Sequence, residues 1–390
     1  MGFVVPRYGA EIVGGAETLA RGFALHLPPD RFAAEVLTTC ARDHHTWTNV
    51  LPAGVTNDGP VAVRRFAVSP RDVGKFLDVQ TRLSEGLPLD LDDEIDWARG
   101  SVNSEDLYAF LAEEHGRFDA LFFLPYLFGT TILGAAIAPE RSILIPCLHD
   151  EPFAYLRLVE HMFRSVRGAI FNSAPERSLA RRLFRTPSDA PVVGFGFDAT
   201  APAREAVPRL RARYAIDGDY LLYFGRKEGG KNLPMLLEYF RECRDAGRGL
   251  SLVVAGDGTI DPSARPQGVI DLPRLDEDDK AAACAGALAL CQPSVNESFS
   301  IVLMESWLQE TPVLVNSRSP VTRHHVALSN GGFYFDGPRE FAAEVEYLRA
   351  HREPAREMGR QGREYVVEQY AWDRVIARFD EALEGLVGRP

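Results

Sequence analysis

The sequence is short of positive charge. Its 390 residues hold 43 Lys and Arg against 55 Asp and Glu, a formal charge of −12, whereas a broad nucleic-acid surface needs a basic field to displace counterions from phosphates. Small polar partners fit this balance better. Cysteine is scarce as well: Cys40, Cys147, Cys243, Cys284 and Cys291 form no close metal-type pairs, and the odd count suits reduced thiols more than a disulfide framework. No window offers the roughly 20 consecutive apolar residues that a membrane span requires, and the first apolar segment, FVV from Phe3, has no charged leader ahead of it. A cytoplasmic chain without an export signal is the expectation. Also missing are an internal repeat of roughly 20 to 50 residues and the G-x-G-x-x-G spacing of a dinucleotide fingerprint, which counts against hydride chemistry.

What is present is ordinary globular material, 46% hydrophobic and 25% charged, in a chain long enough for two cores. Short apolar runs alternate with helical periodicity, the pattern of parallel sheets covered by helices. FVVP is followed by a glycine turn and then by Ala16, Leu19, Phe23 and Leu27 on one helical face. Further strands are expected at EVLTT, VAVRRF, ALFFL, SILIPCL, GAIFNS and APVVGFG, and the pattern restarts at YLLYFGR, SLVVAGDG, VIDLP, LALCQPS and TPVLVN. The Pro- and Ala-rich stretch FDATAPAREAVPRL separates the halves and puts a boundary near residues 198 to 208.

Open sheets of this kind bind ligands at loops leaving the carboxyl ends of their strands. One such loop holds Gly14 and Gly15 immediately before the first helix, where backbone amides either approach an anion or simply make a tight turn. A second, GRKEGGKN, sets Arg226 and Lys231 five residues apart across Gly229 and Gly230. A planar fork and a mobile point charge projecting from one turn suit a diphosphate. The third stretch, NESFSIVLMESW, places Glu297 and Glu305 eight positions apart. With Asn296 and Ser298 as capping types, a helix is expected from about Ser298, with Glu297 at its mouth and Glu305 roughly 12 Å along its axis. Buried carboxylates need donors. Vicinal hydroxyls of a sugar and a ribose would supply them, while free amides at the helix start face phosphate oxygens; alternatively this is a core helix whose Glu305 pairs with an arginine.

In their order and spacing, GGAE, the HD of PCLHDEP, FGRKEGGKN, VVAGDG, the Glu297 to Glu305 pair, TPVLV and the ending YAWDRVIARFDEAL resemble the retaining glycosyltransferases of family 4 over nearly the whole chain. The resemblance implies the GT-B fold, two Rossmann-like, doubly wound α/β domains facing across a cleft. Residues 1–198 with a returning helix at 372–390 would form the acceptor-side domain, and residues 199–371 the donor-binding domain. It implies transfer of a sugar from a nucleotide sugar, UDP- or GDP-linked, to a saccharide, lipid-linked or small-molecule hydroxyl acceptor, with retention and without a metal or other cofactor. Arg226 and Lys231 match the positions that neutralise the donor diphosphate, Glu297 the carboxylate at the donor sugar, Glu305 the ribose ligand and His149 the histidine lining the sugar site. Gly14 and Gly15 match the loop beside the phosphates, and Gly225, Asn232, Gly256, Ser298, Phe299, Ser300 and Ile301 fall at donor-binding positions.

Ser298 and Ser300 depart from this resemblance, since the family has glycine at both, and a sugar pocket narrower or differently bonded would follow. Other GT-B activities, epimerisation or phosphorolysis of sugars, and a non-catalytic nucleotide-sugar-binding module are the alternatives. His324 and His325 lack a carboxylate or cysteine at ligand spacing and read as a polar loop. DEDDK at 276 to 280 reads as a helix opening. Residues 67–106 are either a helical insertion shaping the acceptor cleft or a solvated excursion. Seven arginines against two glutamates over residues 157–185 make either a surface helix pair or a peripheral contact with anionic lipid at the inner face of a membrane.

Overall fold

The computed structural model describes residues 1–12, 14–246 and 249–388. They form two compact units, one of Met1–Gly196 completed by the chain from Trp372 onward, the other of Phe197–Ala371. Each is built on its own sheet.

The first unit carries seven strands, β1 (Gly2–Val4), β2 (Glu35–Thr39), β3 (Gly54–Asp58), β4 (Val61–Phe66), β5 (Leu121–Phe123), β6 (Ser142–Leu144) and β7 (Gly168–Ala169), in the order β3-β4-β2-β1-β5-β6-β7. Every pairing is parallel except β3 with β4. The inner strands are apolar because helices cover both faces; Phe3, Phe122 and Phe123 are fully buried. The closing helix, Trp372–Val387, belongs to this unit: Phe379 stacks within 4.9 Å of Phe23 and 5.1 Å of Phe122, and Trp372 lies 3.9 Å from the His26 ring. Residues 67–106 contribute two helices, Val73–Ser84 and Leu91–Gly100, that pack inward through Val79 and Trp97. The acidic run LDLDDEIDW starts the second of them through a capping box between Asp90 and Asp93. The insertion is thus helical and packs on the core of the first unit.

The second unit holds β8 (Asp219–Phe224), β9 (Leu250–Ala255), β10 (Val269–Leu272), β11 (Ala289–Gln292), β12 (Val313–Asn316) and β13 (Gly332–Phe335), all parallel, in the order β10-β9-β8-β11-β12-β13. Renumbered from its first strand, that order is 3-2-1-4-5-6, the doubly wound dinucleotide-fold arrangement, whose direction of winding reverses between β8 and β11. The crevice at their carboxyl ends is where such sheets take ligands. In the first unit the corresponding reversal lies between β1 and β5.

Several expectations need correction. SILIPCL is a strand only to Leu144, since Pro146 cannot donate to the ladder. APVVGFG forms no strand beyond an isolated bridge of Val192 to Phe171. Two strands went unforeseen, β3 and β13, both at sheet edges. His324 and His325 lie on the helix Pro320–Ser329 rather than in a polar loop, and His325 is wholly buried against Phe299, Tyr365 and Tyr370. DEDDK does open a helix, Glu277–Gly286, with Asp276 accepting from the Asp279 amide. The arginine-rich region is a helix pair, Arg157–Ser165 and Ala174–Phe184. Much of its charge is satisfied within the unit: Arg157 pairs with Glu94, Arg164 with Glu160 and Arg182 with Asp150.

Candidate functional site

At the β8/β11 crevice two loops converge. The one after β8 begins at Gly225, whose φ is +154°, beside Gly256 after β9, whose φ is +146°. A Cβ at Gly256 would collide with the Gly225 carbonyl, so the two loops approach as closely as backbone permits. The Gly225 amide donates to Ala255 O and the Lys227 amide to Asp257 O, which continues the pairing beyond the strands. Buried Tyr223 adds its hydroxyl to Arg226 O at 2.7 Å. Sequence reasoning passed over Lys227, yet its side chain is the buried one. Its Nζ lies 2.7 Å from Asp271 Oδ1 and donates to Leu272 O, fastening the loop to β10.

Arg226 is half-exposed, with Nη1 3.2 Å from Glu228. Gly229–Lys231 makes one short 3-10 turn, and Asn232, left-handed at φ 60°, leads into the helix Leu233–Ala246. Asn232 Nδ2 donates 3.2 Å to Pro293 O, which also accepts from Asn316 Nδ2 at 3.0 Å. One carbonyl at the end of β11 thus ties together the loops after β8, β11 and β12.

Within this clamp Lys231 Nζ donates to Glu297 Oε1 at 2.7 Å. The two side chains are 28% and 10% exposed, so a cation and a carboxylate from different loops meet in a largely water-shielded place. The helix after β11 begins at Ile301, not Ser298, and neither Asn296 nor Ser298 caps it. Ser300 stands at φ 71°, ψ 74°, a left-handed backbone that stops helical propagation toward the N-terminus. Glu297 therefore sits in the loop ahead of the helix. Glycine would take this backbone with less strain, and serine there is held by Gln292 Nε2 donating to its Oγ at 3.2 Å. Ser298 is half-buried, while Phe299 is buried beside Phe197, His325 and Tyr370.

Glu305 lies on this helix, Ile301–Leu308, and bonds Lys280 Nζ at 2.6 Å; Lys280 also reaches Glu277 at 2.8 Å. Burial raises the Glu305 carboxyl above its ordinary range, against the opposing pull of Lys280. For Lys280, burial is outweighed by Glu305 and Glu277, which hold the ammonium above its ordinary value. The expected arginine partner is thus a lysine, supplied by the K of DEDDK.

In the first unit, Gly14 precedes the helix Gly15–His26. The space a side chain at Gly14 would need is taken by the Glu17 carboxylate, itself paired with buried Arg7, while Gly15 faces open space. His149 follows β6, with Nδ1 3.4 Å from Glu151, and Glu151 accepts from buried Tyr126 at 2.8 Å.

Residues 208–365, nearly all of the second unit, match the family model described as glycosyl transferases group 1. Among curated proteins no sequence relative matches. Solved structures do. HepE of Anabaena in complex with UDP is 15% identical with TM-score 0.72, covering 98% of this chain and 99% of that one. Sucrose-phosphate synthase from Thermosynechococcus elongatus is 14% identical with TM-score 0.72, covering 99% and 98%. WaaG, described as a glycosyltransferase involved in lipopolysaccharide biosynthesis, is 13% identical with TM-score 0.68 over 100% of both chains. The likeness runs the length of the chain and identifies its two Rossmann-like α/β domains as a GT-B fold.

Proposed function

We propose that the protein is a retaining glycosyltransferase that moves a sugar from a nucleotide sugar to a hydroxyl acceptor in polysaccharide, glycolipid or glycoside synthesis. The observation that carries this reading is the meeting of Lys231 and Glu297 at the reversal point of the second sheet, inside the segment matched by the glycosyl transferase model. UDP is the favoured carrier, because HepE was crystallised with UDP and with UDP-glucose.

In this reading Arg226 and Lys231 neutralise the diphosphate as it departs, with backbone amides near Gly225, Gly256 and the Ser298–Ile301 turn supplying further donors. Charges fixed before the reaction stabilise the leaving group without reorganising, and a single such donor contributes on the order of 3 kcal/mol in well-studied enzymes. No metal is required for that role. Glu297 binds hydroxyls of the donor sugar, and His149 binds a substrate hydroxyl. Asn232 holds the loop, and Glu305 takes the ribose, exchanging part of its bond to Lys280. The acceptor hydroxyl attacks from the leaving-group side and passes its proton to the departing phosphate, so Glu297 is not a general base. Gly15, in open space, leaves its backbone accessible to a substrate, whereas the place of a side chain at Gly14 is taken by Glu17.

The test is nucleotide release by the purified protein from a panel of UDP- and GDP-sugars, with and without acceptors and with chelator added. Release that depends on acceptor, persists in chelator and falls by orders of magnitude in Lys231→Ala and Arg226→Ala supports the reading. Turnover of donor without acceptor into an isomer points to an epimerase, and binding without release points to a non-catalytic module. Equal rates in the variants and the parent remove the electrostatic role.

A further inference from the structure

Glu176 is a carboxylate with almost no surface, 1% exposed. It occupies the third position of the helix Ala174–Phe184, where Ser173 already caps by accepting from the Glu176 amide. A glutamate at this place in a capping box bonds the cap residue's own amide at the surface. Glu176 bonds the Ser173 amide as well, and reaches further. Its Oε2 accepts from the Asn172 amide at 2.6 Å and its Oε1 from the Leu148 amide, also at 2.6 Å. Leu148 belongs to the loop after β6 and immediately precedes His149.

That loop needs holding. Cys147 stands at φ 50°, a left-handed conformation that costs a residue with a Cβ roughly 1–2 kcal/mol. Asn172 Nδ2 lies 3.7 Å from Cys147 Sγ, a second tie from the same element. A buried carboxylate is an expensive way to start a helix, and burial pushes the Glu176 carboxyl up to about 8 against the pull of its amide donors. The bond to the Ser173 amide serves helix initiation, but the bond to the Leu148 amide, outside the helix, does not. The arrangement is explained if the peptide ahead of His149 must be fixed.

We propose that Glu176 is a positioning residue for His149: by joining the Leu148 and Asn172 amides it sets the course of the loop from which the imidazole reaches a substrate hydroxyl. The proposal rests on the glycosyl-transfer reading above. A displacement near 1 Å in a site of this kind costs up to about 100-fold in rate. Glutamine at position 176 keeps the volume but offers one acceptor where two amides ask for one each.

The experiment measures kcat and KM for acceptor-dependent nucleotide release in the parent, Glu176→Gln, His149→Ala and the double variant, at a temperature well below each unfolding midpoint. Glu176→Gln is expected to lower kcat by about 10- to 100-fold with a small change in KM, and the double variant to match His149→Ala, since two residues acting through one group are not additive. Unchanged kcat in folded Glu176→Gln, or losses that multiply in the double variant, overturns the proposal. If Glu176→Gln does not fold, Asn172→Ala, which cuts the side-chain ties to Cys147 and to Glu176 but leaves the carboxylate, undergoes the same cycle with a smaller loss expected and the same two overturning results. A parent that turns over no donor defeats the glycosyl-transfer reading and this proposal with it; an active parent indifferent to position 176 defeats this proposal alone.

Discussion

Lys231 and Glu297 are partners before any ligand arrives, and that makes Glu297→Gln informative. In the proposed complex Lys231 must turn from Glu297 toward a diphosphate, so free nucleotide competes with an existing bond. A charge-assisted bond contributes about 1.5–3 kcal/mol, and the 28% exposure of Lys231 moves the value toward the smaller contributions of exposed pairs. About 1–2 kcal/mol is a reasonable figure, equivalent to roughly 5- to 30-fold in a dissociation constant at tenfold per 1.4 kcal/mol. Removing the carboxylate's charge also removes its repulsion of phosphate, an effect of the same sign. Titration calorimetry with uridine diphosphate should therefore show tighter binding to Glu297→Gln than to the parent, while sugar transfer collapses because the sugar has lost its ligand. The gain should shrink to the relief of repulsion alone when Lys231→Ala is already present. Equal or weaker binding, or the same gain without Lys231, would refute the argument that this pair is broken on binding.

Gly256→Ala should lower stability by at least about 2 kcal/mol, because the new Cβ meets the Gly225 carbonyl at a backbone angle that favours glycine; urea unfolding followed by fluorescence gives the value, and a parent-like midpoint would show that the loops can separate. His325 is wholly buried with its pKa lowered to about 3, by burial first and His324 second. The unfolded chain then binds the proton that the native state refuses, so stability is complete above about 6.5 and is lost as pH falls toward 3. Unfolding midpoints across that window should slope less in His325→Leu than in the parent; identical slopes would place the acid sensitivity elsewhere.

The sequence patterns that proved reliable are those where one physical cause acts alone. Inner strands such as EVLTT and VAVRRF coincide with β2 and β4 to the residue, the first because it is buried almost throughout and the second because buried Val61 and Val63 alternate with half-buried Ala62 and Arg64. The edges escaped: GVTND of β3 is mostly exposed, and GFYF of β13 is partly so, leaving no apolar pattern to find. The glycine loop after β8 was legible from turn chemistry, and the helix that follows it starts at Leu233. The start at Ile301 was not, because serine carries no mark of the left-handed backbone it adopts at position 300. Among site residues, the sequence names Lys231, Glu297 and Glu305 but cannot say what each touches. Their pairings with one another and with Lys280 depend on which strands are neighbours, a fact of topology. Glu176 carries a visible S-x-x-E pattern, and only the neighbouring β6 loop shows that its carboxylate reaches beyond the helix start.

The chain enters the second unit at Phe197 and leaves it at Ala371, and these two points bridge each other while the Phe197 amide bonds Tyr370 O at 2.7 Å. The second unit is therefore inserted in the sequence of the first, which lacks its Trp372–Val387 helix until the second has been made. During synthesis the inner unit has all its residues in hand while the outer one still waits to bury Phe23 and Phe122 under Phe379. Removing the Trp372–Val387 helix would consequently injure the unit whose synthesis began first.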